Sequence, residues 1–251
     1  LCGTDMASTE TRQEHGLITR FRIVPGGVGV YRFGNRDFPV AEIEEIIVGG
    51  KDMPFNDYVS CRVMNLFIET YLNNDLCEEM FAALRAMGLS VYEFMVYLFE
   101  HSEIYTPKVN DILDKFIRAT RDDLYDSYEE AKTSALSPGL FEQYQSGELG
   151  SNELLEHKAM LYSELDDILF MLQKAITMYL DEKGLLTSRV KEYFDQLTKL
   201  ILYKKREVHN PNLEAEHSFK YDFAIIAEAG YVVDPREVVP EKMNIIFKFS
   251  H

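Results

Sequence analysis

Several groups of side chains in this sequence have types and spacing that could do chemistry. The glycine cluster Pro25-Gly-Gly-Val-Gly29 could turn backbone N–H groups toward a phosphate. A phosphate loop runs from a strand into a helix, and here residues 28–33 read as a strand, so the cluster reads as a turn between two strands. Arg20 and Arg22, with Arg32 and Arg36 close behind, could face an anion, because alternate residues of a strand share a face; the bland reading is a solvated face or structural ion pairs. A di-iron bundle needs Glu-x-x-His on two helices, whereas Glu153 and His157 are four apart and have no second such pair. The histidines at 15, 101, 157, 209, 217 and 251 are scattered and read as surface or locally bonded imidazoles. Asp166-Asp167 and Glu44-Glu45 are adjacent, so they point apart on a helix or a strand and make no acid–base dyad. No Gly-x-Ser-x-Gly elbow is present, and Cys2 and Cys77 have no histidine near them in sequence. The basic run Lys204-Lys-Arg206 reads as a helix terminus matched to the dipole before it reads as a phosphate site.

The elements that must position these groups change character along the chain. After a short helix capped by Ser8 or Thr9 and closed by Gly16, residues 17–24 alternate with the period of a half-buried strand. Residues 28–33 and 43–48 follow as further strands, with a turn over Gly34-Asn-Arg-Asp37. From Pro54 the period becomes helical. Helices are expected from Pro54 to about residue 72, from 77 to 87, from 91 to 99 and beyond Pro107. A short segment around Phe141 and Tyr144 precedes one long helix capped by Asn152 and ended by Gly184, then a last helix with Val190, Phe194, Leu197 and Ile201 on one face. After Asn210-Pro211, residues 219–223 and 244–249 alternate as short strands. The fold class is therefore α+β and predominantly α-helical, in three regions: a strand-rich 1–50, a helical 51–207 and a strand-containing 208–251.

Composition narrows the function classes. The net charge is −16, and every region contributes to it, so a duplex-binding surface is not expected and no nucleic-acid partner is assigned. The three cysteines are odd in number and widely spaced, which points to a reducing, cytoplasmic compartment; Cys61, in an apolar run, reads as a buried small hydrophobe. Apolar stretches are too short for a membrane span. The chain opens on Leu1 with neither a charged nor an apolar leader region, so the expectation is a fragment without a secretory signal.

One resemblance goes further. The string Leu-Cys-Gly-Thr-Asp-Met6, then Ser-Thr-Glu-Thr-Arg-Gln-Glu-His-Gly-Leu17 and Thr-Arg-Phe-Arg-Ile-Val-Pro25, resembles the end of the catalytic barrel in radical SAM enzymes of the cobalamin-binding type. Pro54-Phe-Asn-Asp-Tyr58, running into an apolar helix, is similar to the extension that trails that barrel; together these cover about the first 75 residues. The resemblance implies a larger enzyme that cleaves S-adenosylmethionine at a [4Fe–4S] cluster, with a cobalamin domain upstream. The family's Cys-x-x-x-Cys-x-x-Cys is absent here. The resemblance thus implies a C-terminal, substrate-side piece that is inactive alone and binds none of these cofactors by itself. Its partners would be the N-terminal barrel and cobalamin domains of the same chain. Gly3 and Thr4, on the loop matching the barrel end, are the candidate cofactor-side residues. No catalytic or metal-ligating residue is assigned, and the substrate is not specified. The competing reading is a free-standing, mostly helical module whose all-round apolar helices, 58–72 and 91–99, bury against a partner or a second copy. An incomplete sheet with unpaired edges is expected of the first reading, and a closed core with a separate hydrophobic patch of the second.

Overall fold

A computed structural model describes residues 4–73, 75–206 and 214–248. They are 57% helical and 19% strand, an α+β fold dominated by helices. In order the elements are α1 (Thr9–His15), β1 (Ile18–Phe33), β2 (Arg36–Gly49), α2 (Phe55–Tyr71), α3 (Glu78–Ala86), α4 (Val91–Glu100), α5 (Pro107–Asp122), α6 (Tyr128–Ala135), α7 (Pro138–Ser146), α8 (Glu153–Ser163), α9 (Leu165–Glu182), α10 (Ser188–Lys205), β3 (Glu214–Phe219), α11 (Phe223–Glu228) and β4 (Met243–Lys248). Two compact units result, one of residues 1–66 and 112–159, the other of residues 67–111 and 160–251.

In the first unit β1 and β2 form an antiparallel two-stranded ribbon closed by the Gly34-Asn35 turn. Gly34 suits the first central position of this two-residue hairpin, where the backbone takes a φ of +60°. Ser8 caps α1 by accepting from the Thr11 N–H at 3.2 Å, and Gly16 closes the helix, as its sequence dictates. Pro25-Gly-Gly27 does not end the strand as expected. It forms a bulge inside β1: between the pairs Ile23↔Ile43 and Val28↔Ala41, β1 advances five residues while β2 advances two. Gly27 permits the bulge, since a Cβ there would lie 2.9 Å from both Glu42 Cβ and the Val24 carbonyl oxygen. Helices α6 and α7 lie against β1, and α6 also meets β2. Ile23, Val48, Val59, Val63, Phe116, Ala131 and Ala135 are buried. Cys61, expected to be buried, is exposed: it shares the outer side of α2 with Asp57 and Ser60.

In the second unit α9 meets α4 and α10, while α3 meets α10 and α4. Large side chains fill this core, with Phe81, Phe94, Tyr193, Phe194, Tyr221 and Phe223 buried. Several rings meet edge-on, as Phe94 and Tyr179 do at 5.5 Å between centroids. The single long helix expected from 152 to 184 is broken at Glu164 into α8 and α9, where the backbone leaves helical geometry. The strand expected at 219–223 is replaced by the end of β3 and the start of α11, because the Asp222 carboxylate accepts from the Ala224 and Ile225 N–H groups and nucleates a turn of helix. β3 and β4 pair antiparallel from Glu214↔Lys248 to Phe219↔Met243. Phe249 of the second expected strand lies outside the described residues.

Candidate functional site

Of the two positions assigned to the barrel-end loop, Gly3 lies outside the described residues. Thr4 is exposed, and its carbonyl accepts from the Ala7 N–H at 3.0 Å, opening a 3₁₀ turn over Asp5–Ala7. That gives Thr4 a turn-forming role. The arginine strand is engaged by carboxylates. Arg20 pairs with Asp126 at 3.0 Å, Arg22 with Glu44 at 2.5 Å and Arg32 with Asp37 at 2.6 Å, so three of the four candidate anion ligands serve structural ion pairs. The adjacent acids separate as their spacing dictates: Glu44 meets Arg22, while Glu45 takes Arg12 in a bidentate pair at 2.6 and 2.7 Å. The glycine cluster meets a loop, with the Gly26 N–H donating to the Gly150 carbonyl at 3.1 Å.

The most chemically suggestive arrangement in the first unit lies beside that bulge. A cleft of about 310 Å³ is bounded by Ile23 and Pro25 of β1, Ala119, Asp122 and Asp123 at the end of α5, and the segment from Tyr144 to Glu156. Gly150 brings the loop onto Tyr144: its φ is +87°, and a Cβ there would lie 2.9 Å from the tyrosine ring. In the cleft wall, Glu153 is shared between two arginines, bonded to Arg62 and 3.9 Å from Arg22. The Arg62 guanidinium lies over the Phe116 ring at 5.6 Å, and its Nε is buried without a hydrogen-bond partner. Burial, then the charge of Glu153, raises the Asp123 carboxyl above the usual aspartate range, against the opposing pull of Arg22 and Arg62. Burial chiefly pushes Tyr144 up to about 12 and raises Tyr58 despite Arg62 and Arg22 nearby. A half-buried carboxyl with a raised affinity for protons, in an acid-lined cleft, can accept a proton or hold a cationic group.

The other sequence candidates resolve locally. His157 is buried, with Nδ1 2.7 Å from the Glu153 carbonyl and its ring against Phe116; His101 stacks on Tyr97. Among the described residues no three His, Cys, Asp or Glu side chains converge as metal ligands. In the second unit a cleft of about 610 Å³ is lined by Lys108, Lys205 and Arg206 together with Glu164, Asp166 and Asp167. Lys108 pairs with Glu164 at 2.5 Å and with Asp167 at 3.4 Å, and Arg206 pairs with Asp166 at 3.2 Å. Lys205 donates to the Asp75 carbonyl and Lys204 pairs with Glu79, so the basic run is occupied within the fold.

The sequence names Pro25, Tyr144 and Glu153 in unrelated contexts and does not join them with Asp123 and Arg62 as one site. Asp123, Tyr144, Glu153 and Arg62 come from separate stretches with no common spacing, and only tertiary structure brings them together. No protein-family model matches the chain, and no curated protein matches it.

Proposed function

We propose that the chain is the C-terminal, substrate-side region of a radical SAM enzyme of the cobalamin-binding type. Support comes from the path of the matching segment. Residues 4–25 run without interruption through a 3₁₀ turn, α1 and the first half of β1. The sheet they enter has two strands, and beyond their ladder the described residues add the isolated bridges Phe21↔Tyr125 and Gly50↔Met53 and the bond from the Gly26 N–H to the Gly150 carbonyl. A two-stranded sheet with largely open edges supports this reading. In this reading S-adenosylmethionine, the [4Fe–4S] cluster and cobalamin belong to upstream domains, because this chain has no Cys-x-x-x-Cys-x-x-Cys. The test is the coding DNA upstream of the Leu1 codon. An in-frame Cys-x-x-x-Cys-x-x-Cys supports the assignment; a stop codon followed at once by a start signal contradicts it.

A second reading, an interaction module, is favoured by a different observation. The end of the β1–β2 ribbon exposes Tyr31, Phe33 and Phe38 together. Replacing Tyr31 with the photo-cross-linker benzoylphenylalanine and irradiating expressing cells tests this surface. Covalent adducts through position 31 are expected, and their complete absence contradicts the reading.

A further inference from the structure

The outer half of the β1–β2 ribbon is bare, and every residue from 30 to 40 is exposed. Register pairs Gly29 with Val40, Tyr31 with Phe38 and Phe33 with Arg36. Because paired residues and alternate pairs share a face, Tyr31, Phe33, Phe38 and Val40 form one apolar face with Arg36 at its tip. Their exposures are 60%, 71%, 43% and 42% for the four apolar residues in that order. On the opposite face Arg32 is neutralised by Asp37. Arg36 has no ion-pair partner among the described residues and is the one uncompensated charge of the tip, a cation in a chain of net charge −16.

The same unit contains a surface of matching chemistry. The cleft beside the bulge is rimmed by Asp122, Glu148 and Glu156, all exposed, and has Leu149 and Tyr144 in its wall. An aromatic and cationic tip and an apolar, acid-rimmed cleft are complementary. They cannot meet within one molecule. Pro25 lines the cleft, and eight strand residues at roughly 3.3 Å each place Phe33 about 26 Å away. Between two copies the contact can form twice about a two-fold axis, each tip entering the other's cleft. At roughly 200 Å² per aromatic side chain, the exposed fractions of the three rings of each arm, matched by equal areas on the surfaces they would cover, amount to about 1,400 Å² over both arms, within the range of stable dimers.

We propose that two copies of this chain pair by mutual arm exchange, the Phe33 and Arg36 tip of each ribbon docking in the acid-rimmed cleft of the second copy. The proposal rests on the ribbon being an interaction surface and is independent of the enzyme assignment. Sedimentation velocity over a wide concentration range is expected to show a reversible monomer–dimer equilibrium. Arg36→Glu weakens it by about tenfold or more, and Asp122→Arg with Glu148→Arg does the same. Combining the three substitutions restores most of the affinity, because the charges are exchanged instead of lost. All these positions are exposed, so circular dichroism and melting should be unchanged and a folding defect is separable. A monomer at every concentration, a dimer indifferent to Arg36→Glu, or no recovery in the combined variant overturns arm exchange. Cross-linking of the purified chain through position 31 separates this failure from that of the underlying reading. Adducts of twice the chain mass that map to residues 144–156 support the proposal. Adducts in cells with another protein alone overturn the second copy while sparing the interaction surface, and no adducts of any kind overturn both.

Discussion

The two halves of the β1–β2 ribbon share strands, hydrogen-bonded pairing and a supply of apolar side chains, yet differ in what covers them. The inner half lies under α6 and α7, with Ile23 6% and Val48 1% exposed. The outer half has no such cover, and Phe33 is 71% exposed. Strand pairing fixes which side chains share a face, but whether a face is buried depends on elements roughly eighty or more residues away in sequence. The bulge at Pro25-Gly-Gly27 marks the change, and there the Gly26 N–H leaves the ladder to donate to the Gly150 carbonyl.

Substitutions can break or sharpen this contrast. Ile23→Ala, in the covered half, should cost about 3 kcal/mol through lost burial and a residual cavity, read by urea denaturation. At the boundary, Gly27→Ala should cost about 1–3 kcal/mol, because its Cβ has nowhere to go against Glu42 and Val24. In the bare half, Phe33→Ala should change monomer stability by no more than about 0.5 kcal/mol, measured at a concentration where dimers are negligible.

Two carboxyls of the first unit should respond oppositely to pH. The Arg12 guanidinium holds the Glu45 carboxyl at about 2, below its ordinary 4.5. A depressed folded value means that this stabilisation is fully present above about 4.5 and is lost as pH falls toward 2; Glu45→Gln should flatten the acid limb of the stability curve. Asp123 has the opposite sign. Its folded carboxyl is raised by burial, so its ionisation removes stability as pH climbs from the ordinary aspartate value of 3.8 through the folded one. Asp123→Asn should therefore raise the melting temperature at neutral pH and leave it little changed in acid.

Much of this fold is legible in local sequence. Ser8, Gly16, Pro107 and Gly184 stand at helix ends or just beyond them, and the alternation of residues 17–24 gives a strand. Reading fails where a local signal is outweighed by partners distant in sequence. Pro25-Gly-Gly27 looks like a chain reversal, but β2 continues alongside and turns it into a bulge. The helical pattern runs through residue 164, yet Glu164 sits at a break and is held by Lys108. Phe219 to Phe223 alternates like a strand, and the capping carboxylate of Asp222 prevails. The cleft was the least legible feature, since Arg62, Asp123, Tyr144 and Glu153 have no shared period or motif and take their properties from burial beside one another.

Hydrogen exchange by mass spectrometry, on the chain at low and at high concentration, tests most directly whether the bare half of the ribbon is an interface. Arm exchange predicts that residues 30–40 and residues 144–156 gain protection together as concentration rises, while residues 18–24 and 43–48 stay protected throughout. Exchange at 30–40 that is equally fast at both concentrations would contradict it.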